Sequence, residues 1–257
     1  MLITLLTDFG EGSQYVAQMK GVILGIHSEA RIVDVSHSVP PQAIQVAGRR
    51  LDSIVDAFSA DTCHIVVVDP GVGTERHVLL ARMREQFFIG PDNGVFTAIM
   101  ERCSPDWVRV VDQPRFWRPP ISSTFHGRDI MAPVAAHLGE GISPEKLASE
   151  VDEWVREPSS QPRVFANRLE ATIVEVDSFG NLITNVGQDQ LPANAGGISV
   201  SLHDRSGIDR VQTYADREPG CLVALIGSGG DLEIAIVNGN AAKLLSAKLG
   251  DSVVISW

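Results

Sequence analysis

The sequence predicts an α/β N-terminal domain with a mostly parallel sheet, followed by a smaller β-rich, barrel-like C-terminal domain. Strand-like and helix-like runs alternate through roughly the first 150 residues, the order expected of strands joined by helical crossovers. The run His64–Val68 is nearly all β-branched, as a strand covered on both faces should be. Farther on, the segment Glu157-Pro158-Ser159-Ser160-Gln161-Pro162 is polar and proline-rich, as linkers are. Helical periodicity mostly ends beyond it. These features divide the chain into an α/β domain over residues 1–156 and a β-rich domain over residues 164–257.

Within the first domain, Ile3–Leu6 is a short buried-strand pattern, after which Val16, Met19, Val22, Ile23 and Ile26 recur at helical spacing. Ile32–Val35 is a second strand. Pro40-Pro41 is expected to open another helical stretch through Ile44, Val46, Leu51 and Ile54, because a proline at a helix start loses no bonded N–H. His77–Met83 and Gln86–Ile89 read as a strand pair, Val108–Val111 as a strand and Ile130–Leu138 as a helix. In the second domain Leu169–Val176, Leu182–Val186, Ile198–Leu202, Val211–Tyr214, Leu222–Ile226, Leu232–Val237 and Ser252–Ser256 read as short strands. One helix fits, over Ala241–Leu249.

Acidic residues number 32 against 21 basic ones, for a formal net charge of -11. That field repels phosphate backbones, and the densest basic pair, Arg49-Arg50, reads as an exposed helix end. Nucleic acid is therefore not an expected partner. Cys63, Cys103 and Cys221 lack metal-ligand spacing and read as small buried core residues of a reducing cytoplasm. The apolar run Met1–Leu6 meets Thr7-Asp8 at once, without a basic region or cleavage site. No apolar stretch approaches the roughly 18 residues that a membrane helix needs. The expectation is a soluble, cytoplasmic protein without a membrane partner.

The polar motifs sit mostly at strand ends. Thr7-Asp8-Phe9-Gly10 follows the first strand; helix capping explains it as readily as ligand binding. Asp69-Pro70-Gly71-Val72-Gly73-Thr74-Glu75-Arg76 follows the third strand. In open α/β sheets ligands bind beyond the carboxyl ends of the strands, which puts Asp8 and Asp69 on one edge. A tight turn accounts for the glycines but not for the aspartate, and Arg76 can fold back onto Asp69. Gly90-Pro91-Asp92-Asn93-Gly94 needs only turn chemistry. Ser123-Thr124-Phe125-His126-Gly127-Arg128-Asp129 holds more polar function than a loop requires: Asp129 can cap the next helix and Arg128 can pair with a carboxylate, but His126 has no evident structural task. In the second domain, Asp177-Ser178-Phe179-Gly180-Asn181 reads as a hairpin turn. Gly227-Ser228-Gly229-Gly230-Asp231 lacks the lysine and following helix of a phosphate loop.

Taken in order, TDFG, YVAQMKG, VDVSH, VDPGVGTER, GPDNG, STFHGRD, DSFGNLITN and GSGGDLEIA resemble the S-adenosyl-L-methionine (SAM) hydroxide adenosyltransferase, or SAM hydrolase, family over essentially the whole chain. This family is related in fold to SAM-dependent fluorinating and chlorinating enzymes. The resemblance implies an α/β domain followed by a β-rich domain, and a homotrimer whose substrate lies between the N-terminal domain of one subunit and the C-terminal domain of its neighbour. It implies attack of water on the ribose C5′ of SAM, giving adenosine and L-methionine, with SAM as substrate and no cofactor. By the same resemblance, Asp69, Arg76 and His126 form the catalytic set, and Asp8 binds the ribose. Asn181 contacts adenine, and Ser228, Glu233 and the backbone of Val237 complete the nucleoside contacts. Asp177 matches a position facing the methionine end in the halogenating relatives. Two positions depart from related patterns: Ser13 replaces an acidic residue, and Gly229 stands where halogenating relatives carry arginine.

Such a displacement releases a neutral thioether from a sulfonium, so the leaving group needs neither protonation nor a metal. The nucleophile is the difficulty, because water must lie about 3 Å behind C5′ and in line with the C–S bond. A SAM-dependent halogenase and a catalytically inactive nucleoside-binding protein are the alternatives. A metal-dependent phosphoesterase built on Asp8, Asp34, His37, Asp69 and His126 is a third.

Overall fold

The computed structural model describes residues 1–158, 160–192 and 197–257; Ser159 of the expected linker lies outside the described residues. The chain divides into two compact units, Met1–Ser159 and Ser160–Trp257.

The first unit is built on seven strands: β1 (Leu2–Thr7), β2 (Arg31–Ser36), β3 (Cys63–Val67), β4 (Val78–Met83), β5 (Gln86–Pro91), β6 (Trp107–Val110) and β7 (Ser149–Glu150). They lie in the order β2-β1-β3-β5-β4-β6-β7. Strands β2, β1, β3 and β5 are mutually parallel, and antiparallel β4, β6 and β7 extend the sheet. Successive side chains of a strand point to opposite faces, and the chain around β3 is apolar on both. Cys63, Ile65 and Val67 enter one core with Val16, Met19 and Ile23 of α1 (Gln14–Ile26). Val66 and Val68 enter another with Val46 and Leu51 of α2 (Ile44–Ile54) and Ile99 of α3 (Thr97–Arg102). Helices therefore cover both faces, and the carboxyl ends of the parallel strands are left to loops.

After β6 the chain reaches a π-helical turn (Gly127–Met131) that runs straight into α4 (Ala132–Gly139), followed by α5 (Pro144–Leu147). The expected Ile130–Leu138 helix is thus α4 with a wider turn at its start. Two other expectations need correction. Pro40-Pro41 does not begin α2: Gln42 adopts a left-handed φ of 65° and the helix starts at Ile44. Arg49-Arg50 lies in the middle of α2 and is half-buried, so it is not a helix end.

The second unit is an antiparallel sheet of β8 (Arg163–Val164), β9 (Arg168–Val176), β10 (Leu182–Gly187), β11 (Ser199–Leu202), β12 (Arg205–Asp209), β13 (Leu222–Ile226), β14 (Asp231–Ile236) and β15 (Ser252–Ser256), with α6 over Ala241–Leu245. The order is β12-β11-β15-β9-β10-β14-β13, with β8 added beside β9. A bridge between Arg210 and Ala224 brings the two outer strands together, so the sheet nearly closes on itself. Its core is filled by alternate residues such as Leu169, Ala171 and Ile173 of β9, with Leu182, Ile234 and Ile255. Val211–Tyr214 is not a strand. The hairpin turns earlier, at His203 with φ 54°, and the partner of β11 is the polar run Arg205–Asp209. α6 ends four residues before the expected Leu249, because Ser246 takes the left-handed conformation that closes the helix. Of the three cysteines, all free, only Cys63 is fully buried. No helix among the described residues is long and apolar enough to cross a membrane.

Candidate functional site

Strand β1 delivers Asp8. Thr7 closes the strand, its hydroxyl bonded to Nδ1 of His37 at 2.9 Å, and the Gly10 N–H donates to the His37 carbonyl at 2.8 Å. The chain turns at Gly10 with φ 88°, a conformation that glycine adopts without a Cβ penalty. Asp8 Oδ2 accepts the backbone N–H of Gln42 at 2.9 Å, so the left-handed turn after Pro41 orients the carboxylate.

Strand β3, next to β1, delivers Asp69 through Val68. Arg76 folds back across the turn, as expected from the sequence. Its Nε donates to Asp69 Oδ1 at 2.9 Å and its Nη2 to Asp69 Oδ2, a bidentate pair whose side chains are 10% and 5% exposed. Gly73 makes this turn possible, for its φ is 80° and a Cβ there would overlap the Ser123 carbonyl. The loop carrying Asp69 and Arg76 thereby packs directly on the loop carrying His126.

His126 immediately precedes the π-helical turn, and its Nδ1 lies 3.0 Å from Arg76 Nη2. A guanidinium only donates, so Nδ1 accepts and the neutral ring carries its proton on Nε2. Burial and the Arg76 charge hold the imidazole below the ordinary histidine pKa, outweighing the opposite pull of Asp69 and Asp129. Asp8, Asp69 and His126 line one cavity of about 180 Å³ with Phe9, Gln42, Thr124 and Phe125. That volume is below the roughly 300 Å³ at which drug-sized ligand pockets begin.

The second unit carries the other expected residues on the β9–β10 turn, on and just after β14, and on the β13–β14 turn. Asp177 Oδ1 accepts the N–H groups of Phe179 at 2.9 Å and Asn181 at 2.8 Å, and its Oδ2 accepts Asn181 Nδ2 at 2.9 Å. Asp177 is thus the turn-former, Asn181 is buried, and Phe179 stands 75% exposed at the tip. Glu233 on β14 accepts the Tyr214 hydroxyl. Burial, with the nearby Asp177 charge, raises the Glu233 carboxyl above its ordinary pKa, although the Tyr214 hydrogen bond pulls the other way. Ser228 is exposed on the β13–β14 glycine turn, whose Gly230 carbonyl accepts the Gln188 N–H at the far end of β10. The Val237 N–H donates to Cys221 and its carbonyl accepts from Gly220, which leaves one carbonyl lone pair for a ligand.

Gln42, Phe9 and Tyr214 stand in these groups although the sequence reading did not single them out. In the sequence Tyr214 reads as the end of a strand, and nothing local marks Gln42. Asp34 and His37 form a separate group with Lys20, at 3.1 and 2.5 Å from Asp34. Among the described residues no three His, Cys, Asp or Glu side chains converge on a metal position.

The family model of the SAM hydroxide adenosyltransferase N-terminal domain matches residues 3–148, and that of the C-terminal domain matches residues 171–254. The chain belongs to the SAM hydroxide adenosyltransferase family. As in that family's domain pair, the first match falls within the α/β unit and the second within the β-rich unit. Members of this family similar to the chain include the protein named (R)-S-adenosyl-L-methionine hydrolase of Methanocaldococcus jannaschii, 34% identical over 270 residues, covering 100% of this chain and 96% of that relative. The protein of the same name from Thermus thermophilus is 34% identical over 256 residues, covering 96% of each. A protein named fluorinase from Nocardia brasiliensis is 26% identical over 290 residues, covering 99% of this chain and 96% of the relative. Among solved structures, an uncharacterized conserved protein from Thermotoga maritima matches with a TM-score of 0.92 and 32% identity over the whole of both chains.

In this family setting, Ser13 has a local role: it is the N-cap of α1, its side chain accepting the Tyr15 N–H at 3.2 Å. Gly229 is exposed with open space around it.

Proposed function

We propose that this chain hydrolyses SAM to adenosine and L-methionine by attack of water at ribose C5′. One observation carries the reading: Asp69, Arg76 and His126 are joined by hydrogen bonds at the carboxyl end of β3, and Asp69 and His126 line a small cavity together with Asp8. The hydrolases among the relatives support it, being more similar to the chain than the fluorinase is.

In this reading Asp8 accepts the ribose 2′- and 3′-hydroxyls, because a carboxylate can accept several hydrogen bonds at once. The His126 Nε2–H donates to the water oxygen and aims a lone pair at C5′. As the O–C5′ bond forms, the C5′–S bond breaks and its electron pair passes to sulfur, leaving neutral methionine thioether. The water proton passes to Asp69, whose oxygens keep lone pairs outside the Arg76 fork. Arg76 holds the other two groups in register. Asn181 contacts adenine, Ser228, Glu233 and the Val237 backbone complete the nucleoside contacts, and Asp177 shapes the turn that carries Asn181.

We further propose a cytoplasmic, metal-independent homotrimer in which each site combines the first unit of one copy with the second unit of its neighbour. The free thiols of Cys63, Cys103 and Cys221 support a reducing compartment.

The deciding experiment is product analysis after incubation with SAM in isotopically labelled water, with chelator and with or without chloride and fluoride. Label in the adenosine 5′-hydroxyl, unchanged by chelator or halide, is expected. A 5′-halogenated nucleoside, or adenosine bound without methionine release, overturns the reading.

A further inference from the structure

The loop that delivers His126 converges on one carboxylate. Asp129 is completely buried, three residues after His126 and inside the π-helical turn. Its oxygens accept the Ser122 N–H at 2.9 Å, Arg128 Nε at 2.7 Å, Arg128 Nη2 at 2.9 Å and Arg118 Nη1 at 3.3 Å. Its own carbonyl accepts the Arg118 N–H at 2.8 Å. Both ends of the segment from Arg118 to Asp129 are therefore fixed to a single residue. Between them lie Ser123, whose carbonyl presses on Gly73, and His126 itself.

A carboxylate withdrawn this far from water is costly unless it is fully bonded, and buried ion pairs are poor devices for stability alone. Here the bonding is complete and the charge is retained. Burial would raise the Asp129 carboxyl, but the hydrogen bonds from Arg128 and Ser122 and the two arginine charges hold it below its ordinary value. Arg128 extends the brace, bonding Gln18 of α1 at 2.8 Å while its guanidinium lies 4.9 Å over the Phe125 ring. No residue of the clamp lines the cavity of Asp8, Asp69 and His126, and its bonds bear on the loop and on α1.

We propose that Asp129 is the positioning residue of the site: it holds the loop 118–129 so that His126 Nδ1 meets Arg76 and Nε2–H turns to the cavity. The inference rests on the reading of His126 as a catalytic group. The charged groups facing His126 are Arg76 and Asp69 from the β3 loop, Asp129 from the π-helical turn and Asp8 across the cavity.

The test is the full-length Asp129→Asn protein, which keeps the side chain's shape while placing an NH2 donor among donors. Long-range proton–nitrogen spectra of the His126 imidazole read the tautomer directly. The wild type is expected to show Nε2–H with bare Nδ1. Asp129→Asn should show mixed tautomers, with kcat lower by about tenfold to a hundredfold from lost alignment. A wild-type tautomer in Asp129→Asn overturns the inference, whatever happens to turnover. Mixed tautomers with wild-type turnover leave the positioning role standing and remove His126 from the mechanism. Should that variant not fold, Arg118→Ala applies the same readout, because the Arg118 side chain is 46% exposed and its loss spares the core. There too an unchanged tautomer overturns the proposal.

Discussion

At the scale of single residues, the proposed mechanism separates holding the sugar from activating the water, and the two are separately measurable. Arg76→Ala removes the group that bonds both Asp69 and His126. It should lower kcat at least about a hundredfold, as loss of an aligned electrostatic group does. Asp8→Ala should instead raise KM by about ten- to a hundredfold, the cost of charge-assisted hydrogen bonds to two hydroxyls. Steady-state kinetics of the two variants checks the contrast; equal effects on kcat would remove the division of labour. The Nδ1 acceptor bond also fixes a pH dependence. Protonating His126 places an N–H against the Arg76 N–H and breaks the link. Burial and Arg76 depress the imidazole pKa, so activity should persist below the ordinary histidine value and fail on further acidification. A kcat–pH profile with an acid limb at or above about 6.5, the unperturbed value, contradicts this. Asp69 and Arg76 were legible in the sequence because they sit seven residues apart across one glycine turn. Glu233 was named only through the family resemblance, and its pairing with Tyr214, 19 residues away on a different element, was not legible because only the folded chain brings them together.

At the scale of elements, legibility followed burial. β3 announced itself because a strand covered on both faces has no polar side to confuse its pattern. β12 did not: Arg205–Asp209 is a mostly exposed edge strand, joined through its backbone to β11. The alternation of Val211–Tyr214 imitated a strand in its place. The π-helical turn leaves no sequence signature, since its widened hydrogen bond, Ala132 N–H to the Gly127 carbonyl, is set by tertiary packing. The middle of the first sheet carries a further consequence. His64 on β3 is fully buried, bonded to Thr4 of β1 at 2.8 Å and Gln86 of β5 at 3.0 Å, and stacked on Phe88. Burial lowers its pKa to about 4 from the ordinary 6.5. The unfolded chain then binds the proton first as pH falls, so the stability this histidine contributes is whole above pH 6.5 and is lost between there and pH 4. The loss is about 3 kcal/mol. Denaturation midpoints measured from neutral pH to 4.5 should fall accordingly, and His64→Leu, though less stable at neutral pH, should flatten that slope. An unflattened slope would place the effect elsewhere.

At the scale of the whole molecule, the proposed assembly makes a prediction that neither unit makes alone. If each site joins the first unit of one copy to the second unit of the next, two inactive variants can repair each other. Arg76→Ala and Asn181→Ala chains, mixed by reversible unfolding, should recover about one quarter of the sites by random assortment around a head-to-tail ring. No recovery in a mixture that sediments as a trimer would assign each site to a single chain. The sheet of the first unit adds a lesson about redesign. Thr7 of β1 lies opposite Val67 of β3 on a shared rung, so Asp8 and Asp69 leave the ladder one and two residues past it. Their spacing is therefore inherited from the interstrand repeat of about 4.8 Å and not from any loop. An engineer can treat the positions of Asp8 and Asp69 as a fixed datum, while any new Asp69–Arg76 turn must keep the Gly73 contact with the loop that carries His126. In this scaffold, redesign of the proposed chemistry means rebuilding two packed loops together while the ladder beneath them stays.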